Sequence, residues 1–266
     1  LSQSDNWQNL WRDVEDNGSR GVIMPRNADG SWVETIYCNL PDSPDESIDY
    51  HPLARDWPRC VCWWCGFFYE GSSWEYSLYV PHDVSRLIEM SGGDDAFLRR
   101  LNSLFERGFY NVGNEPSFLS PNLYHWLGRP DLSSTRIHAI VDANFNASKA
   151  GIPGNDDSGA MSSWLAFHMM GLFPNAGQSY YLISTPYFES TTFHLENGNK
   201  FRISTENLSD ANQIIQSARL NGETLEQAWI EHSAIESGGE LVLVMGDTSV
   251  SWGGNLLPHS KSTLLD

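Results

Sequence analysis

No apolar run in the sequence approaches the ~18–20 residues that cross a bilayer, so no membrane span is expected. Basic residues are scarce: 16 Lys and Arg stand against 34 Asp and Glu, a formal net charge of −18. Such a surface repels phosphate backbones and anionic lipid. Nucleic acid and membrane are thereby excluded as partners, whereas divalent cations and neutral polar ligands fit. There is no Walker A loop, no G-x-G-x-x-G, no G-x-S-x-G elbow and no H-E-x-x-H helix. The opening residues, LSQSDNWQNLW, have neither the basic stretch nor the apolar core of a signal peptide. The chain also does not open on Met, so it reads as a processed product or a piece of something longer.

Cysteine is sparse and confined to one stretch, at Cys38, Cys60, Cys62 and Cys65. The spacing C-x-C-x-x-C fits no common zinc module, and no His follows closely. Two disulfides of a secreted protein are therefore expected, with a zinc site as the rival. Asn-x-Ser triplets at Asn17, Asn146 and Asn207 lean towards secretion and glycosylation, although such triplets also arise by chance.

Aromatic residues are plentiful: 11 Trp, 10 Tyr and 12 Phe in 266 residues imply a folded chain with a sizeable core. Trp7, Leu10, Trp11 and Val14 have helical spacing, which predicts a helix over residues 1–16. Residues 17–69 read as loop, rich in Gly, Pro, Asp and Asn. Residues 81–172 read as mostly helical: Asp83 can cap VSRLIEM, and DDAFLRRLNSLFERG opens on two acids and closes on Gly108. PSFLSPNLYHWLG, LSSTRIHAIVDANF and the segment ending at Gly171 follow. Beyond Pro174 the period changes to short apolar or alternating runs split by ENGNK, LNGE and SGGE, with one helix expected at SDANQIIQSA. The class is α+β, divided into residues 1–175 and a β-rich region over 176–266.

Three acidic clusters fall on turns or helix starts. FYEGSSWEYSLYVPHD carries Glu70, Glu75, His82 and Asp83 among aromatics. A carboxyl lodged against Tyr69, Trp74 and Tyr76 is partly desolvated, which keeps the acid form available near neutral pH. The bland alternative is a solvated loop whose aromatics serve the core. GNEPSF offers Asn114 and Glu115, hard oxygens suited to calcium, while Pro116 is explained equally by the first turn of a helix. GIPGNDDSGAMSSW sets Asp156 and Asp157 before an apolar helix. Either the pair caps that helix, or it serves a cation and a water that must lose a proton. His125 and His168 lie on apolar helical stretches and read as packing residues.

Taken in order, RNADGSW, YEGSSWEYSLYVPHD, GNEPSFLSPNLYHWLGRP, GIPGNDDSGAMSSWLAFHMMGLFPNAGQ and YYLISTPYF resemble the C-terminal half of glycoside hydrolase family 92. That family comprises calcium-dependent exo-α-mannosidases, many of them specific for α-1,2 linkages. The similarity runs from about residue 20 to about 253. It implies part of an (α/α)6 barrel of helical hairpins, followed by a C-terminal antiparallel β region, and inverting hydrolysis of terminal mannose. By motif, Glu70 takes the general-acid role with Glu75 as fallback, and Asp157, with Asp156 as rival or helper, takes the base role. Trp74, Glu75, His82 and Asp83 are the expected substrate contacts. Asn114, Glu115 and Asp157 are the expected Ca2+ ligands. The stretch from Asp42 to Cys65 departs from the family pattern. About six helical segments are visible where the barrel needs twelve, so the N-terminal part of the same enzyme is the expected partner, alongside mannose-containing glycans. The alternative is a calcium-dependent glycan-binding module without hydrolysis, which would need no acid at position 70.

Overall fold

The computed structural model describes residues 2–40, 43–53 and 67–264. Two compact units emerge: Leu1–Val80 with Arg86–Ser120, and Pro81–Ser85 with Pro121–Asp266.

In the first unit a 3-10 helix, Ser2–Leu10, runs directly into strand β1 (Trp11–Asp16). The single helix expected through residue 16 therefore ends at Leu10. The reason is the Asn17-Gly18 pair, both left-handed (φ 50° and 72°), which turns β1 onto β2 (Ser19–Ile23) as an antiparallel hairpin. Asn-Gly is the strongest short-range hairpin signal, and here it overrides the helical spacing of the tryptophans. A second hairpin, β3 (Thr35–Leu40) with β4 (Ser43–Asp49), lies where the composition read as loop. Cys38 is on β3. Cys60, Cys62 and Cys65 lie outside the described residues, and the expected disulfides with them.

Three helices follow: α1 (Ser73–Tyr76), α2 (Val84–Met90) and α3 (Asp94–Glu106). On α3, Phe97, Arg100, Leu101 and Leu104 recur at helical spacing and are all buried. The helix closes as expected at Gly108 (φ 71°), with Phe109 N donating to Leu104 O at 2.9 Å. Arg100 is only 1 % exposed and donates from Nη1 to the carbonyls of Arg20 and Gly21 on β2. Its guanidinium lies 5.4 Å from the Trp11 ring and 5.6 Å from that of Trp74. The stretch PSFLSPNLYHWLG forms two 3-10 helices, Glu115–Ser117 and Ser120–Leu127, rather than α-helix. Pro116 and Pro121 each remove a backbone donor near the start of these turns.

The second unit holds α4 (Pro130–Asn144), α5 (Ala160–Met170), α6 (His232–Glu236) and eight strands. The first two strands are β5 (Leu172–Pro174) and β6 (Tyr180–Ile183). Then come β7 (Ser190–His194), β8 (Lys200–Glu206) and β9 (Ile214–Leu220). The last are β10 (Glu223–Leu225), β11 (Trp229–Glu231) and β12 (Gly239–Gly246). Five strands form one sheet in the order β10-β9-β12-β8-β7, and three form another in the order β11-β6-β5.

Two expectations are corrected here. The helix expected at SDANQIIQSA is absent: residues 209–213 are turn and the rest joins strand β9, which Asn221-Gly222 (φ 52° and 87°) pins to β10 as a hairpin. The β region is mixed rather than antiparallel throughout, since β12 pairs parallel with β8. The chain passes through β10, β11 and α6 before returning, so β12 enters between two strands already laid down. Its alternation suits that central place: Leu241, Leu243 and Met245 are buried with Phe201, Ile203 and Leu172.

Candidate active site

Glu70, Trp74, Glu75, Asn114 and Glu115 belong to the first unit; His82, Asp83, Asp156 and Asp157 belong to the second.

In the first unit the chain reaches the site through a tight turn. Glu70 has φ 50°, a left-handed conformation that costs a non-glycine residue about 1–2 kcal/mol. Asn114 Nδ2 donates to the Glu70 carbonyl at 2.9 Å and holds the turn in that state. Gly71 has to be glycine, because a Cβ there would meet the Tyr76 ring at 2.9 Å. Ser72 then caps α1 in a capping box with Glu75. The result is a cleft of about 310 Å³ lined by Tyr69, Glu70, Tyr76, Tyr79, Glu115 and Pro116. Tyr76 donates from its hydroxyl to Tyr69 O at 2.6 Å, and Tyr69 itself is 70 % exposed. Burial raises the phenol pKa of both Tyr76 and Tyr79, and Tyr76 also feels the charges of Glu75 and Glu70.

Two of the acids read from the sequence meet here. One carboxylate oxygen of Glu70 lies within 4.8 Å of one of Glu115, and both residues are half-buried. At that spacing two unit charges repel by about 1 kcal/mol in bulk water and by more in a drier cleft. Among the described residues, neither carboxylate accepts a hydrogen bond. Asn114 commits its amide nitrogen to Glu70 O, leaving Oδ1 as its acceptor end. Glu115 and the amide oxygen of Asn114 are hard donors without thiolate or imidazole, which fits Ca2+ rather than a softer metal.

The neighbours of Glu70 have other employment. Trp74 is 1 % exposed, donates from Nε1 to Pro52 O at 2.5 Å and packs on Phe109 with ring centroids 5.0 Å apart. Glu75 has no exposed surface: Oε2 accepts from Ser72 N at 2.7 Å and Oε1 from Ser117 Oγ at 2.6 Å. Glu75 is thus the carboxyl of this stretch that burial pushes up, countered by its bonds to Ser117 and Ser72. Sequence reasoning missed Tyr79 as a cleft wall. Its signal was weak, since it stands three residues past Tyr76, beyond the end of α1.

In the second unit, Asp83 is buried and accepts from Ser262 N at 3.1 Å and Ser262 Oγ at 2.6 Å. His82 is half-buried and accepts at its carbonyl from Lys261 N. Asp156 and Asp157 diverge. The Asp156 carboxylate accepts from Ser162 N at 2.9 Å, so it satisfies an orphan amide in the first turn of α5. Asp157 is exposed, left-handed at φ 45°, and its carboxylate accepts no hydrogen bond among the described residues. Ser158 and Gly159 are left-handed as well, at φ 61° and 94°. Six described non-glycine residues have positive φ; three are Asn, which tolerates it, and the others are Glu70, Asp157 and Ser158. Uncommon backbone is therefore concentrated at two of the acids that the motifs single out. His125 and His168 are buried packing residues, as expected.

The catalytic-domain profile of glycosyl hydrolase family 92 matches residues 1–247. An uncharacterized secreted glycosidase of Arthroderma benhamiae is 37% identical over 272 residues, covering 95% of this chain and 33% of the relative. Two solved structures from Bacteroides thetaiotaomicron share the fold. A family GH92 α-mannosidase has a TM-score of 0.80 at 26% identity, over 98% of this chain and 32% of its own. A family GH92 inverting mannosidase has a TM-score of 0.81 at 25% identity, over 98% of this chain and 36% of its own. The chain spans about a third of the length of these relatives.

Proposed function

This chain belongs to glycosyl hydrolase family 92, and we propose that it is the C-terminal part of a secreted, calcium-dependent α-mannosidase that removes terminal mannose, α-1,2-linked above all, with inversion. Residues 1–175 would complete an (α/α)6 barrel together with the N-terminal part of the same enzyme, and 176–266 would form its β-rich flank. Two disulfides and glycosylation at the Asn-x-Ser triplets belong to the same reading of a secreted protein.

The observation that carries the proposal is the state of Glu70: half-buried in a tyrosine-lined cleft, held left-handed, and without a donor to its carboxylate among the described residues. In an inverting reaction such a group, in its acid form, gives its proton to the glycosidic oxygen as the bond to C1 breaks. A second carboxylate takes a proton from the water that attacks C1 from the opposite face. Asp157 is assigned that task by its motif. Asp156 is the helper, because its carboxylate already holds the start of α5. Asn114 Oδ1, Glu115 and, by motif, Asp157 would hold calcium. When bound, the ion supplies a positive charge that binds and orients sugar hydroxyls. Glu75 supports the turns that carry Glu70 and Glu115 and Trp74 is sealed in the core, while the Asp83 carboxylate is held by Ser262, so His82 is the remaining candidate for a sugar contact.

The test is mannose release from an α-1,2-mannobioside by the enzyme carrying this chain, with the released anomer followed by NMR before it mutarotates. Glu70→Gln is expected to cut turnover by about 10²–10⁴-fold. A dinitrophenyl mannoside, whose leaving group needs no proton, should lose far less. Full activity of Glu70→Gln on the mannobioside would remove Glu70 from the acid role. Calcium-dependent mannoside binding without release would establish the non-catalytic module instead.

A further inference from the structure

The turn at Glu70 that leads into α1 and the 3-10 helix Glu115–Ser117 carry the two acids that face the cleft. Glu75 lies between these two elements and touches both. Its Oε2 closes the cap of α1 on Ser72 N, and its Oε1 receives the Ser117 hydroxyl. A single carboxylate therefore ties the turn that follows Glu70 to the helix that opens on Glu115. A sugar contact needs exposed surface, and a general acid needs an oxygen turned towards the leaving group. Glu75 offers neither, since both oxygens point into the protein and no surface is exposed. The Tyr110 phenol is also buried, without a hydrogen-bond partner among the described residues, and Glu75 lies near enough for its charge to raise the phenol pKa further.

We propose that Glu75 is a positioning residue: it sets the separation of Glu70 and Glu115 by bridging Ser72 and Ser117, and it is not a proton donor. This rests on the reading of Glu70 as the acid. Displacing a reacting group by about 1 Å costs on the order of 10² in rate, so a strut of this kind governs kcat without touching substrate.

Two variants decide it, made in the enzyme carrying this chain. Glu75→Gln keeps the shape, with its carbonyl accepting from Ser72 N and its amide donating to Ser117 Oγ. Glu75→Leu keeps the volume and removes both bonds. Turnover of an α-mannobioside and of a dinitrophenyl mannoside is measured, together with amide hydrogen exchange in peptides covering residues 69–79 and 113–118. Glu75→Gln is expected to rescue kcat to within about tenfold of the parent. Glu75→Leu should lose about a hundredfold in kcat on both substrates, and both peptides should exchange faster together. If Glu75→Gln were dead on the mannobioside yet active on the dinitrophenyl mannoside, Glu75 would be the proton donor and the proposal overturned. Unchanged exchange and kcat in Glu75→Leu would overturn it equally. If the parent enzyme released no mannose, the functional reading would fail by itself, and the exchange comparison would still decide the strut.

Discussion

His168 gives a prediction whose size follows from its surroundings. It sits in the last turn of α5, wholly buried, with Nδ1 donating to Trp164 O at 2.8 Å and Nε2 accepting from Asn122 Nδ2 at 3.1 Å. The ring stacks on Phe173, with centroids 4.9 Å apart. That arrangement needs the neutral ring. Burial pushes its pKa down to about 3, countered by the Trp164 carbonyl and reinforced by His125. In the unfolded chain the ring takes its proton near its ordinary value of 6.5. The unfolded state therefore binds more protons between those two values. The neutral ring's contribution is fully present above 6.5 and is lost as pH falls towards 3. Integrated from pH 7 to 4.5, the loss is about 2.5 kcal/mol. Urea unfolding of the parent and of His168→Gln at both pH values isolates the term. The variant is less stable at pH 7, but the parent is expected to lose about 2.5 kcal/mol more than the variant on acidification. Parallel losses would refute the reasoning. α5 begins just after the Asp157 turn, so this anchor also fixes where that turn is held.

Two further predictions concern the turns themselves. Asn114→Ala removes the bond to the Glu70 carbonyl and should cost about 1 kcal/mol in unfolding free energy, with a fall in kcat. Unchanged stability and turnover would show that the bond does not hold Glu70. Asp157→Gly and Asp157→Ala both abolish the carboxylate and differ only in Cβ. At φ 45° the glycine variant should be the more stable by about 1 kcal/mol, and equal stabilities would show that the turn is not strained.

The parts of the fold legible in the sequence were those with a long period and a marked end. α3 opens on Asp94 and Asp95 and closes at Gly108; α5 ends at Gly171, left-handed at φ 83°. The β-rich character beyond Pro174 was legible for the same reason, because Asn-Gly and Gly-Gly punctuate it. What failed was local pattern against a stronger turn. Trp7, Leu10, Trp11 and Val14 have helical spacing, yet Asn17-Gly18 makes the last two of them strand. The parallel pairing of β12 with β8 could not be read either, since a strand's partner depends on where the chain returns. At the site, spacing placed acids among aromatics but could not say which aromatic faces which acid. Trp74 and Tyr79 are both aromatic members of one short stretch; the first is sealed in the core and the second walls the cleft.

The acids clustered in those motifs divide by what holds their oxygens. Glu75 is spent on Ser72 and Ser117, Asp83 on Ser262, and Asp156 on the first turn of α5. Each of these bonds lowers the free energy of the fold, and each removes a lone pair that chemistry would need. Glu70, Glu115 and Asp157 receive no such donors among the described residues, and the first and last are held in backbone conformations that cost energy. Folding alone gives no reason to keep an unbonded carboxylate on a strained turn, since Asn or Gly would be better there. A ligand that neutralises charge, or a proton that must be given and taken, supplies that reason. The adjacent pair Asp156 and Asp157 divides in the same way: the carboxylate of the first accepts an amide of α5, and that of the second accepts no hydrogen bond among the described residues.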